Sequence, residues 1–326
     1  MTILVAPDSF KGTYTAREVA DAIADGIRSS GCSAVELPVA DGGEGTLDAS
    51  LGPLGLGRTT VRACNPWRVP RTGEYGLSAD GTAVIEVAEF SGITTAHDGP
   101  RDPITADTYG TGLAIVDAVR RGATRVVVAA GGSATTDGGK GAIDAIDAGG
   151  GIGAASIEIL TDVTTTYVDA ARIFGPQKGA DAEQVTHLAE RLDRYAATLP
   201  RDPRSIPGSG AAGGFAGGMW ARFDATIEPG AHRVLNLLGF DDAVASASLV
   251  VVGEGRLDSQ SVAGKIVSAI LSRSGEVPVA AVVGSVGDDL GSYRDRFLDV
   301  LIATDLDRMR EAGSALARMV NLVERA

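Results

Sequence analysis

The chain has 326 residues, 44% of them hydrophobic, which is enough for two domains or one large α/β unit with a true core. Its 29 Lys and Arg against 42 Asp and Glu leave a net charge of −13, which argues against a nucleic-acid partner and gives no support for binding to an anionic membrane surface. No apolar window reaches membrane-spanning length, the start MTILVAPDSF has no basic leader, and Cys32 and Cys64 carry no metal spacing, so a cytoplasmic protein is expected.

Thr2 to Ala6 reads as a strand that breaks at Pro7 and empties into Asp8, Ser9, Phe10, Lys11 and Gly12. Thr15 then caps a helix with Val19, Ala20, Ile23 and Ile27 on one face. This β-loop-α unit sets an acid, a hydroxyl and a cation beyond a strand's C-terminal end, where α/β folds collect ligands. Val35 to Val39 is the next strand, and Asp41-Gly42-Gly43-Glu44 follows it closely. Two carboxylates three apart can share a metal ion or a hydroxyl, although the same string is also a common turn.

From Arg58 to Val87 the pattern changes to three strands without helical periodicity between them, best read as an antiparallel meander. The change marks a domain boundary near residue 60. Glu86 and Glu89 follow the last strand, either as a solvated helix start or as functional carboxylates. Gly110-Thr111-Gly112 leads into a helix over Leu113 to Arg121.

Thr124 to Gly141, TRVVVAAGGSATTDGGKG, is an apolar strand opening into glycines, hydroxyls and one acid. Gly139 and Lys140 sit where a P-loop has its glycine and lysine, but Gly141 replaces the hydroxyl that would hold magnesium, so a Walker site is not expected. A short helix over Ala142 to Ala148, a strand over Ile157 to Leu160 with Asp162 at its exit, the loop Phe174 to Gly179 and a helix from Ala182 to Leu199 come next. Gly208 to Gly214 fits GxGxxG but follows no strand, so it reads as a close-approach loop. The last third returns to parallel α/β. It has strands over Ser248 to Val252, Val277 to Val283 and Val300 to Ala303, helices from about Ser261 and from Leu306 to Glu324, and the loop Gly253 to Asp258 with Glu254, Arg256 and Asp258.

His97, His187 and His232 are scattered, which gives little support to metallohydrolase or triad chemistry. Glycine loops, isolated cations and acids at strand ends instead supply what phosphoryl transfer needs: amides for phosphate oxygens, cations for developing charge and acids for magnesium and the attacking hydroxyl.

Taken together, the motifs resemble the bacterial type I glycerate kinase family. They are APDSFKG at 6–12, ADGGEGT at 40–46, AVIEVAEFSG at 83–92, YGTG at 109–112, GGSATTDGG at 131–139, FGPQKGA at 174–180, GSGAAGG at 208–214 and VVGEGRLDSQSVAGK at 251–265. The resemblance implies ATP-dependent phosphorylation of D-glycerate to 2-phosphoglycerate, with magnesium, in a cleft between two domains. It also implies a discontinuous flavodoxin-like parallel α/β domain over 1–60 and 230–326 and an inserted mixed α/β domain over 61–229 carrying the meander. Asp8, Lys11, Asp41 and Arg256 become catalytic candidates, with Asp8 or Asp41 orienting the acceptor hydroxyl. Ser9, Glu44, Gly131, Gly132, Ser133, Thr135, Asp137, Gln177, Lys178, Gly210, Gly213 and Lys265 become substrate and nucleotide contacts, and Asp162, Glu254 and Asp258 magnesium ligands. No nucleic-acid or membrane partner is expected, and a homodimer is left open. The chain departs from the family pattern in having only Gly149 to Ile159 where the family has some tens of residues. That shortening predicts a changed wall beside Asp162. A kinase for another hydroxy-acid and a non-catalytic glycerate- or nucleotide-binding relative remain as alternatives.

Overall fold

The computed structural model describes residues 1–259 and 266–323. Its strands are β1 (Thr2–Pro7), β2 (Ser33–Glu36), β3 (Gly57–Cys64), β4 (Pro70–Leu77), β5 (Thr82–Glu86), β6 (Arg125–Ala129), β7 (Ser156–Thr161), β8 (Thr226–Pro229), β9 (Leu249–Leu257), β10 (Val279–Val286) and β11 (Val300–Ile302). Contacts divide the chain into two units, Met1–Asp41 with Ala231–Ala326, and Gly42–Gly230.

The first unit is a five-stranded sheet in the order β11-β10-β9-β1-β2, with every pairing parallel. Counted within the unit, this is the 2-1-3-4-5 order of flavodoxin-like folds, and the order reverses between β1 and β9. Near-continuous Val, Ile and Ala runs in β1, β9 and β10 are what strands covered on both faces require. One face packs Ile3, Val5, Val251 and Val282 against Ile23 and Ile27 of the helix Ala16–Ser29 and Leu316 of the helix Leu306–Val323. Full burial of each such side chain contributes roughly 1.5–3 kcal/mol before entropy is counted. The helix Ala16–Ser29 starts at a reciprocal capping box between Thr15 and Glu18, which fixes where the β1 loop must end.

The second unit is a six-stranded mixed sheet in sequential order, β3 to β8. The expected meander forms its antiparallel end, β3-β4-β5, and β5 to β8 then run parallel. Tyr75, Ile85, Phe90, Ile115, Val128, Phe215 and Met219 are buried in its core.

Two expectations change in detail. The Gly253 to Arg256 segment is strand, not loop, because β10 extends alongside it and pairs Glu254 with Val283 and Arg256 with Ser285. The glycines of Gly110-Thr111-Gly112 lie inside the helix Tyr109–Arg120, where a Cβ at 110 would stand 2.1 Å from the Cys64 carbonyl oxygen, so close packing rather than a turn demands glycine. The strand β8 and the helix Phe215–Phe223 had no clear periodic signal. The start of the helix expected from Ser261 lies outside the described residues, and its later part is the helix Ile266–Arg273.

Candidate active site

In the first unit, the C-terminal ends of all five strands carry the polar residues. After β1, the Asp8 amide donates to the Gly253 carbonyl at 2.8 Å, tying the loop to β9 across the switch point. The loop then closes on itself. Phe10 and Tyr14 exchange backbone hydrogen bonds of 2.9 and 3.0 Å, and the Ser9 amide donates to Asp8 Oδ1 at 2.6 Å. On β9 the side-chain alternation sends Glu254 and Arg256 to one face, and Asp258 follows two residues beyond. A pocket of about 500 Å³ results, lined by Asp8, Ser9, Lys11, Asp41, Glu254, Arg256 and Asp258 together with Phe10, Thr13, Gly284, Ser285 and Thr304.

The charges in this pocket are unevenly exposed. Asp8 is 8% exposed, whereas the Lys11 and Arg256 side chains are largely in solvent. The Lys11 ammonium lies 3.5 Å from the Asp41 carboxylate, and Arg256 Nε lies 3.2 Å from Asp258. Burial pushes the Asp8 carboxyl up to about 7, the Asp41 and Glu254 carboxylates push the same way, and the Ser9 amide and Lys11 oppose them. A buried acid that titrates near neutrality, with two exposed cations around it, can accept a proton from a hydroxyl while the cations meet negative charge.

The second unit collects its polar residues at the C-terminal ends of β6 and β7. Gly131, Gly132, Ser133, Gln177, Lys178 and Thr161 line a cavity of about 400 Å³, with Ile93, Val163, Phe174, Ala211 and Ala212 as its apolar walls. The Ser133 loop is held by the Gly208–Gly214 segment, as a close-approach loop should be. A Cβ at Gly213, which has φ +66°, would stand 1.9 Å from the Thr135 carbonyl oxygen. Gly210 packs as tightly on Thr166. Lys178 is buried beneath the loop and donates to the Ser133 hydroxyl at 3.0 Å and the Thr135 carbonyl at 2.6 Å.

Asp137 faces the protein rather than the cavity. Its carboxylate accepts from the Thr108 amide and hydroxyl at 2.9 and 2.8 Å and from the Gly139 and Gly141 amides at 3.2 and 2.9 Å. It therefore knots the starts of two helices together, as an N-terminal acid does. Thr135 is fully buried behind the loop. Lys140 pairs with Asp144 at 2.6 Å on an exposed helix face.

A smaller acidic hollow on the same unit joins Glu44, Glu86, Glu89 and Arg71. Glu86 accepts from the Leu47 amide at 2.8 Å, and burial pushes it up to about 7. Arg71 pairs with Glu89 at 3.0 Å.

The catalytic candidates Asp8, Lys11, Asp41 and Arg256 thus share one pocket with Ser9, Glu254 and Asp258. Asp162 and Glu44 belong to the other unit, and Lys265 lies outside the described residues. Among the described residues, no group of three or more His, Cys, Asp or Glu side chains is placed to hold a metal ion by itself. Phe10, Thr13, Ser285 and Thr304 line the pocket but are not among the site residues expected from the sequence. For Ser285 and Thr304 a signal was available, since each is the first hydroxyl residue after an apolar run, Ser285 within the end of β10 and Thr304 two residues past β11. Of the shortened segment, residues 149–155 form a glycine-rich turn after the helix Lys140–Ala148 and residues 156–159 are the first four of β7, while Thr161 and Val163, which line the cavity, sit at the far end of that strand from the turn. Six residues of strand, roughly 20 Å, separate the two.

A flavodoxin-like sheet with acids and cations gathered at its switch point defines an α/β enzyme acting on a small charged molecule. The chain matches the model of the glycerate kinase family over residues 3–150 and 144–326. It is 34% identical to a glycerate 2-kinase of Escherichia coli K12, over 96% of this chain and 93% of that one. It is 36% identical to a glycerate kinase of Bacillus subtilis 168, over 93% of this chain and 90% of that one. A crystal structure from Salmonella typhimurium LT2 assigned to glycerate kinase 2 superposes with a TM-score of 0.86 at 30% identity, covering all of both chains. The chain belongs to the glycerate kinase family and is a kinase. No helix among the described residues is long and apolar enough to cross a membrane.

Proposed function

We propose that the protein phosphorylates D-glycerate to 2-phosphoglycerate with ATP, by in-line transfer of the γ-phosphoryl group. The observation that carries this reading is Asp8, buried at the switch point with its carboxyl near neutrality and with Lys11 and Arg256 beside it. Above pH 7 Asp8 is an acceptor for the proton of the attacking hydroxyl, and Asp41 keeps its basicity high. Lys11 and Arg256 meet the carboxylate of the acceptor or the phosphoryl oxygens. Phosphoryl transfer needs little else than such positioning and charge compensation. The two contact units support a reading as two domains, one discontinuous and one inserted.

Magnesium fits the donor set in one particular way. It is commonly held by one or two carboxylates, with phosphate oxygens and water completing its shell, so a cage of protein ligands is not required. Glu254 and Asp258, on β9 and just past it, are the donors in the first pocket, and Asp162 is the candidate in the second unit. When bound, the ion neutralises charge on the phosphates. A small-molecule substrate and a cytoplasmic location agree with this reading, and a homodimer remains an option for it.

The test is a coupled assay of ADP release with purified protein, ATP, magnesium and a panel of hydroxy-acids. D-glycerate is expected to give the highest kcat/KM. Release of ADP only with a different hydroxy-acid would replace the acceptor, and no release with any of them would sink the reading.

A further inference from the structure

The second unit buries a cation whose hydrogen-bond partners are all neutral. Lys178 is 9% exposed, and its ammonium is held by a hydroxyl and a backbone carbonyl, with the Phe174 ring 6.0 Å away. No carboxylate among the described residues is ion-paired with it. The charged group that acts on it through space is Asp137, whose oxygens are already committed to Thr108, Gly139 and Gly141. Two acceptors leave one of the three ammonium donors over. Taking an ammonium out of water without a counter-ion is costly, and burial pushes Lys178 down to about 7.

The cavity beside Lys178 is large enough for part of a substrate, and its polar groups are concentrated. Ser133 and Gln177 flank the lysine, while Ile93, Val163 and Phe174 keep the rest apolar. Apolar walls strengthen any charge interaction inside them. We propose that this cavity is an oxyanion site, in which a carboxylate or phosphate group of a substrate docks on Lys178 and supplies the ion-paired counter-charge that the described residues do not, so that binding draws a proton onto the lysine. The inference deepens the kinase reading and rests on it only for the identity of the oxyanion, the carboxylate of the acceptor or a phosphate of the nucleotide.

Calorimetric titration of the full chain at pH 8 tests this, with D-glycerate, the nonhydrolysable ATP analogue AMP-PNP and inorganic phosphate as separate probes. Each titration is run in two buffers of different ionisation heat, which reads proton uptake. The expected result is that at least one probe binds with net proton uptake, loses 30-fold or more in affinity in Lys178→Met, and binds Lys178→Arg with that uptake gone. Asp8 titrates in the same range, and the comparison with Lys178→Arg removes its share. If Lys178→Met does not fold, the arginine variant decides alone, since its charge does not titrate. Proton uptake unchanged in Lys178→Arg, or affinity for every probe unchanged in Lys178→Met, would overturn the proposal. Loss of glycerate binding assigns the carboxylate, and loss of AMP-PNP or phosphate binding assigns the phosphate. Turnover is not read here, so a chain inactive on glycerate but binding phosphate through Lys178 would refute the kinase reading and leave this site standing.

Discussion

The Asp8 amide donates to the Gly253 carbonyl at 2.8 Å, and this one bond holds the candidate acid against the strand that carries Glu254 and Arg256. The two segments are some 245 residues apart in sequence, and the parallel register of β1 on β9, with Pro7 opposite Gly253, brings them together. The placement of Asp8 beside Glu254 and Arg256 is therefore a property of the sheet.

Asp8→Asn separates function from stability. Its carboxyl sits near 7 in the fold against an ordinary 3.8, so between those values the folded state holds a proton that the unfolded chain has lost, and stability falls as pH rises through that window. The asparagine variant lacks this fall. Its melting temperature at pH 8 is expected to equal or exceed that of the parent, while kcat drops 100-fold or more. The parent's kcat is expected to rise with pH around 7. A variant that loses activity and melting temperature together would place Asp8 in the framework instead.

Asp137→Ala is expected to act the opposite way, because four donors lose their acceptor in a buried knot. A loss of about 3 kcal/mol in unfolding free energy is expected, read by urea titration.

Gly213→Ala puts a Cβ where the Thr135 carbonyl already stands, on a backbone at φ +66°. The expected cost is about 2–4 kcal/mol, with the Ser133 loop displaced, so KM should rise along with the loss of stability. A neutral outcome in thermal melts would show that the two loops are not packed as described.

Lys140→Ala tests the absence of Walker chemistry. Its ammonium is engaged with Asp144 on the surface, a pair worth at most a few tenths of a kcal/mol. Turnover is expected to stay within twofold of the parent.

Much of this was legible in the sequence, for a physical reason. Buried parallel strands are unbroken apolar runs, and their polar exits stand out, so Asp8, Gly131 to Ser133 and Glu254 could be located one strand at a time. What stayed hidden was partnership. Nothing local distinguishes Asp137, which is consumed by Thr108 and two amides, from an acid facing a ligand. Nothing local says that Lys178 meets only neutral groups. The extension of β9 through Arg256 depended on β10 running beside it, and β8, four residues of which none is buried, gave no periodic signal. Of the shortened segment, the glycine turn 149–155 lies at the start of β7 and Asp162 just past its end.

The central claim, that this kinase transfers a phosphoryl group from ATP to the 2-hydroxyl of D-glycerate, is tested most directly by phosphorus NMR of a reaction with ATP, magnesium and D-glycerate. The account predicts a single new phosphomonoester that co-resonates with added 2-phosphoglycerate and disappears with Asp8→Asn. A signal matching 3-phosphoglycerate, or ATP left unchanged, would contradict it.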